Sequence, residues 1–239
     1  MIKKLINDFL GKQSGQVSPA FEGNHSYSQC GEDVMCAFVL GVLGVTDPLY
    51  LDIGCFDATK FSNTYHFYEK GSRGICVDAN PLLTAAFSSK RPRDQVVNIG
   101  LSGKTSAQLP FYVMEQATLS TFSNQEALRL ESEGASKIER HIDINVLSIA
   151  EFLRSYLPDR KLDLVSLDVE GFDAEIVENF DFDFVRPAVF CVETLEYKER
   201  GHQKKNEQII NLMLNRNYML YGDTFINSIF VDKSLWQAR

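Results

Sequence analysis

Asp52, Gly54, Asp57 and Asp78 are the residues whose types and spacing first point to chemistry. They lie in Leu51-Asp52-Ile53-Gly54-Cys55-Phe56-Asp57 and in Cys76-Val77-Asp78-Ala79-Asn80-Pro81. An acid at the end of a second parallel strand is placed to hold two ribose hydroxyls. A turn built for a dinucleotide pyrophosphate wants Gly-x-Gly-x-x-Gly and exposed N–H groups. This turn has a single glycine and adds Asp52 and Asp57, whose carboxylates would repel a pyrophosphate. They suit a cofactor that carries a sulfonium and an ammonium group, which is S-adenosylmethionine. The competing reading is two strands joined by a helix, with acids that only cap or turn.

To position those residues the chain needs a strand, a turn, a helix and a second strand. Residues 50–53 are apolar and partly β-branched, as suits a buried parallel strand. Residues 63–70 read as a helix stopped by Gly71, and 74–79 as the next strand. Helices are expected over 33–43 and 81–89, a third strand over 95–101, and a short extra strand over 111–114. Ser148-Ile149-Ala150-Glu151 is a capping box opening a helix to Tyr156. A strongly apolar strand follows over 162–168, then a helix over 173–180. A buried strand over 188–192 ends in Glu193, and 208–214 is helical. Residues 218–221 and 229–231 close the sheet as a hairpin-like pair. Alternating strands and helices imply an α/β fold, a mostly parallel sheet covered on both faces, with a terminal antiparallel strand. Residues 12–23 read as a loop. Residues 115–140, polar with charges of both signs, read either as a lid over the substrate or as a plain surface insertion.

Ligands of open α/β sheets sit outside the carboxyl ends of the strands. Those ends are expected at Asp52, Asp78, Leu101-Ser102, Asp168 and Glu193, and four of the five carry an acid. In Asp168-Val169-Glu170-Gly171, a chain extended through Glu170 points both acids to one face. Methyl transfer from a sulfonium is an in-line displacement, so acceptor and methyl must be aligned. An alcohol acceptor gains further from a base that removes its proton during attack. A carboxylate partly desolvated near other acids has a raised pKa and makes a better base. Asp168 is the candidate base, with Glu170 and Glu193 as alternates. Asp168 and Glu170 also read as helix caps. Glu193 suits a sugar hydroxyl, the base itself, or a metal shared with Asp168. Two acids are few for a divalent cation, and no metal ligand is assigned. His202 reads as a solvated loop residue, and His25, His66 and His141 show no metal-ligand spacing.

Composition narrows the class. A chain of 239 residues with 44% apolar content fits one α/β domain with a sizeable core. Residues 1–27 are expected as an N-terminal helix and loop extension, and 28–239 as the single domain. A net charge of −8 argues against a general nucleic-acid binder, which needs a basic surface. No apolar run approaches the ~20 residues of a membrane span. Residues 1–10 have an apolar face that suits docking on the domain or weak peripheral membrane contact. The five cysteines include no Cys-x-x-Cys pair; Cys55, Cys76 and Cys191 lie in or beside expected core strands, and the set reads as reduced, small apolar residues of a cytoplasmic protein.

In these residues the chain resembles the FkbM family of S-adenosylmethionine-dependent methyltransferases. The resemblance runs from Ser28 to about Lys233. It is carried by Ser28-Gln29-Cys30-Gly31-Glu32-Asp33, Leu51-Asp52-Ile53-Gly54, Ser62-Asn63-Thr64-Tyr65 and Gly74-Ile75-Cys76-Val77-Asp78-Ala79-Asn80-Pro81. Asp168-Val169-Glu170-Gly171, Val192-Glu193-Thr194 and Asn227-Ser228-Ile229-Phe230 continue it. The resemblance implies a class I methyltransferase fold, Rossmann-like, with seven strands of which the last is antiparallel. It implies O-methylation, often of hydroxyls on sugars or secondary metabolites. It also implies that Asp52, Gly54, Asn63 and Asp78 bind the cofactor and that Asp168 lies near the reacting methyl. With the strand-end reading, this makes Asp52, Gly54, Asp57, Asn63, Asp78, Ala79, Leu101, Ser102 and Asp168 the candidate cofactor residues. One departure is that the turn has Phe56 and Ala58 near where many methyltransferases carry a second glycine. The leading expectation is an O-methyltransferase acting on a hydroxyl of a glycan, lipid-linked sugar or secondary metabolite. Its rivals are a non-catalytic binding module on the same fold and a metal-dependent methyltransferase of small diols.

Overall fold

The computed structural model describes residues 24–169, 171–197 and 203–239. The expected helix over 1–10, the loop over 12–23, Glu170 and His202 lie outside the described residues.

In chain order, α1 (Glu32–Val42) leads into β1 (Tyr50–Ile53), α2 (Tyr65–Glu69), β2 (Gly74–Val77), α3 (Pro81–Lys90) and β3 (Gln95–Val97). Then come β4 (Gly100–Ser102), β5 (Ser106–Met114), α4 (Asn124–Ser132), β6 (Ile138–Ser148) and α5 (Ile149–Tyr156). The chain continues through β7 (Leu164–Leu167), α6 (Asp173–Asn179), β8 (Val189–Glu193) and the pair β9 (Leu195–Tyr197) and β10 (Gln203–Lys205). It ends in α7 (Glu207–Asn215), β11 (Tyr218–Asp223), β12 (Asn227–Asp232) and α8 (Lys233–Ala238).

The main sheet has seven strands in the order β11-β12-β8-β7-β1-β2-β3. β8, β7, β1, β2 and β3 are parallel, and β12 runs antiparallel between β8 and β11. This is the α/β architecture expected, down to the antiparallel last strand. Residues alternate across the sheet. Leu51, Ile53, Ile75, Val77, Val165, Leu167 and Phe190 enter one core layer. Tyr50, Cys76, Leu164, Val189 and Cys191 enter the other, against α1 and α2. All five cysteines are free; Cys30 is exposed and the other four are buried.

Local chemistry sets the helix ends. Asn80 caps α3, its side chain accepting the Leu82 N–H at 3.0 Å with Pro81 in the first turn. Ser148 caps α5, its hydroxyl accepting from the Glu151 N–H at 3.3 Å and donating to the Glu151 carboxylate at 2.8 Å. Its own N–H donates to the Thr105 hydroxyl at 3.1 Å, so the reciprocal half of the expected capping box is not made. Gly71, at φ +110°, ends the turn after α2.

Two sequence expectations are corrected. The third strand does not run through 95–101. It breaks at Asn98, whose amide donates to the Asp78 and Ala79 carbonyls at 2.8 and 3.0 Å, and the chain leaves the main sheet. Residues 100–102 become β4 of a second, three-stranded sheet ordered β4-β6-β5. The short strand expected at 111–114 is the end of the nine-residue β5. Residues 115–140 fold as a 3-10 turn, α4 and the start of β6, all attached to that second sheet. No described helix is long and apolar enough to cross a membrane.

Candidate active site

A cleft of about 150 Å3 lies at the carboxyl ends of β1, β2 and β7. Its floor is Ile53, Gly54, Val77 and Asp78 from the ends of β1 and β2, with Asp168 and Val169 after β7. The second sheet supplies the facing wall through Leu101 and Phe111, joined by Phe122 from the segment between β5 and α4.

The Gly54 turn joins the β1 and β7 ends of this floor. Gly54 sits at φ +80°, and a Cβ there would lie 1.7 Å from the Asp168 carbonyl oxygen. Only glycine lets the end of β1 pass so close to the end of β7. The amides of Gly54 and Cys55 both donate to the Val77 carbonyl, at 2.9 and 3.2 Å. Phe56 follows at φ 47°, and its N–H donates to Asp78 Oδ2 at 3.0 Å. The Asn80 N–H donates to Asp78 Oδ1 at 2.7 Å. Burial pushes the Asp78 carboxyl up to about 6, against the pull of those two N–H groups. A carboxylate has about four lone-pair sites. Asp78 therefore keeps acceptor capacity for two neighbouring hydroxyls in the cleft.

Gly54, Asp78, Ala79, Leu101 and Asp168, all marked from sequence, come together around the cleft. The other described candidates do not line it. Asp52 lies inside β1, and the strand's two-residue alternation turns it to the same face as Tyr50. There it is 4% exposed and accepts the Thr64 hydroxyl, and burial raises its pKa against the pull of nearby Arg91 and its hydroxyl partners. Asp57 closes its own turn, accepting from the Thr59 and Lys60 amides at 2.8 and 2.9 Å, which hold its carboxyl below the usual range against a burial effect of opposite sign. Asn63 donates to Ser166 Oγ at 3.1 Å. Ser102 donates to the Lys104 carbonyl at 2.6 Å. Glu193 ends β8, two strands from β1, and is 9% exposed.

Of the wall, the sequence marked Leu101 but not the aromatic residues. Phe111 and Phe122 pack with ring centroids 4.8 Å apart, and Phe122 meets Phe172 edge-on at 6.0 Å. Thr118, Ser120 and Gln29 also line the cleft. Phe111 lies in the segment read as a short strand and Phe122 in the one read as polar, and only the tertiary fold brings them into one cleft with Asp78.

Beneath the turn lies a buried polar network centred on Arg91, which is 0% exposed. Its Nε meets Asp94 at 2.6 Å, and its Nη2 donates to the Tyr50 hydroxyl at 2.9 Å and the Thr64 hydroxyl at 3.0 Å. Asp94 also accepts from the Tyr50 hydroxyl at 2.7 Å and the Gly74 N–H at 2.8 Å. This network ties the end of α3 to β1, to β2 and to Thr64, which in turn holds Asp52.

A family model, the methyltransferase FkbM domain, matches residues 52–220. The chain belongs to the FkbM methyltransferase family. Its methyl donor is S-adenosylmethionine, and the cleft fits that molecule on two observations. Among the described residues its acidic lining is Asp78 and Asp168, which suit a ligand with paired hydroxyls and positive charge, and its apolar side at Leu83, Ile99 and Phe111 suits a flat base. When bound, this cofactor supplies the electrophilic methyl.

Among solved structures, the methyltransferase is similar to a TehB-like SAM-dependent methyltransferase from Corynebacterium glutamicum. That match has 11% identity and a TM-score of 0.41, covering 88% of this chain and 90% of that one. It is similar to the N-methyltransferase NodS from Bradyrhizobium japonicum at 10% identity and TM-score 0.42, covering 84% and 96%. A third is the 1,6-didemethyltoxoflavin-N1-methyltransferase from Burkholderia thailandensis, solved with S-adenosylhomocysteine. It has 12% identity and a TM-score of 0.41, covering 84% and 76%. No curated protein matches the chain.

Proposed function

We propose that this methyltransferase transfers its methyl group to a hydroxyl of a glycan, a lipid-linked sugar or a secondary metabolite, with Asp168 as the base. The observation that carries this reading is the place of Asp168, which lines the cleft beside the Gly54 turn. An alcohol loses its proton as it attacks, and a carboxylate at that point accepts it. Asp78 takes the ribose hydroxyls; Ala79 and Leu101 flank the adenosine. Asp52, Asn63 and Ser102 act from below or behind the cleft by holding its strands and turns, and Asp57 by closing the glycine turn. Glu193 and Glu170 are the alternates for the base. Labelled S-adenosylmethionine incubated with glycans from cell extract, read by mass spectrometry, tests the acceptor class. Methyl ethers on sugar hydroxyls are expected; methylated amines or carbon atoms alone would sink the O-methylation reading.

The ribose role of Asp78 carries its own expected result. Asp78→Ala should weaken S-adenosylhomocysteine binding by about 1–3 kcal/mol in isothermal titration, through unmade hydroxyl bonds. In the parent, affinity should fall as pH drops through about 6, because protonation takes one acceptor away from the hydroxyls. An affinity flat from pH 8 to 5 would remove Asp78 from that role.

Among the described residues, no group of three His, Cys, Asp or Glu side chains is placed to hold a metal ion. Turnover should therefore survive EDTA. Loss in EDTA with recovery on adding magnesium would instead make Asp168 and Glu193 the first residues to test as ligands.

A further inference from the structure

The segment Ser28-Gln29-Cys30-Gly31-Glu32-Asp33 carries two buried acids that no cofactor role has absorbed. Both are fully engaged in folding the loop. Asp33 accepts from the Ser26 hydroxyl at 2.7 Å, the Tyr27 N–H at 2.7 Å, the Ser28 hydroxyl at 2.9 Å and the Val34 N–H at 2.8 Å. Glu32 accepts from the Cys30 N–H at 2.8 Å and reaches across the chain to the Thr224 hydroxyl at 2.6 Å and the Asn227 amide at 3.1 Å. Gly31, at φ +93°, lets the loop turn directly into α1. The result is a short loop pinned on both sides of Gln29. Gln29 itself is exposed and lines the cleft with Gly54, Phe61 and Asp168.

The approach direction gives Gln29 a role. α1, which this loop feeds, packs on β8 and β12, on the far side of β1 from Asp78. A molecule that sets its ribose at Asp78 and its base beyond β2 extends its other end over β1 and β7, toward Gln29. In S-adenosylmethionine that end is an amino acid, with one carboxylate and one ammonium. A primary amide has two donors and one acceptor, so it serves either group without adding charge beside Asp168.

We infer that Gln29 is a cofactor-binding residue that contacts the amino-acid end of S-adenosylmethionine, held in place by the Glu32 and Asp33 anchors. This rests on the reading of Asp78 as the ribose residue. The test compares S-adenosylhomocysteine with 5′-methylthioadenosine, which keeps the adenosine and the sulfur but lacks the amino acid. Isothermal titration of both against the parent, Gln29→Ala and Asp78→Ala separates the two claims. Gln29→Ala should lose about tenfold on S-adenosylhomocysteine, the worth of one or two hydrogen bonds, and nothing on 5′-methylthioadenosine. Asp78→Ala should lose on both ligands. Gln29→Ala with unchanged affinity for S-adenosylhomocysteine, or with equal losses on both ligands, overturns the inference. Unchanged affinities in Asp78→Ala overturn the ribose reading instead, and with it the direction from which Gln29 was assigned.

Discussion

Asp168→Asn should lower kcat by about 10²–10⁴-fold while changing S-adenosylhomocysteine affinity far less. The substitution keeps the shape of the side chain and removes its capacity to accept a proton. The backbone at Asp168 is also held independently of its side chain: its N–H donates to the Ile53 carbonyl at 3.0 Å, and its carbonyl oxygen lies against Gly54. An amide at this position should therefore leave the floor of the cleft in place. Initial rates with labelled donor, beside a binding isotherm for each variant, give the answer. Near-parental turnover in Asp168→Asn, with a dead Glu193→Gln, would move the base to Glu193. A collapse of cofactor affinity would make Asp168 a ligand of the donor.

The second large effect concerns stability. Arg91→Met should destabilise the fold by about 3–5 kcal/mol, because it leaves a buried carboxylate without its cation. The side chains of Arg91 and Asp94 are both 0% exposed, so water cannot substitute for the lost partner. Arg91→Lys should restore only part of this. An ammonium cannot match the forked reach to Asp94, Tyr50 and Thr64. Urea denaturation followed by circular dichroism measures both. An Arg91→Met midpoint within experimental error of the parent would show that the network contributes nothing to stability.

Much of the parallel sheet was legible because its strands are short apolar runs with turns between them. Tyr50–Ile53, Gly74–Val77 and Leu164–Leu167 are buried at every position and read as such from composition. Asp78 and Asp168 were legible because each follows directly on such a run. Asp52 looked equivalent, but it sits one residue before the end of β1, and one residue reverses the face. β6 was missed. Its apolar Ile142, Ile144 and Val146 alternate, but Glu139, Arg140 and Asp143 mask the period at the exposed end. The break at Asn98 was not legible either, since the amide's partners are carbonyls on a different strand end. Gln29 had no spacing that marked it. Its position depends on Glu32 reaching residues nearly two hundred positions away.

The change of sheets at Asn98 divides the cleft into two parts that can vary separately. The floor at Gly54, Asp78 and Asp168 hangs on the parallel sheet and its Arg91 foundation. The wall at Ala117, Thr118, Ser120 and Phe122 hangs on strands that pair only with one another. Substitutions along 115–136 can reshape the space offered to an acceptor without moving Gly54, Asp78 or Asp168. A fold divided in this way lets descendants exchange one acceptor for another while inheriting the same cleft floor unchanged.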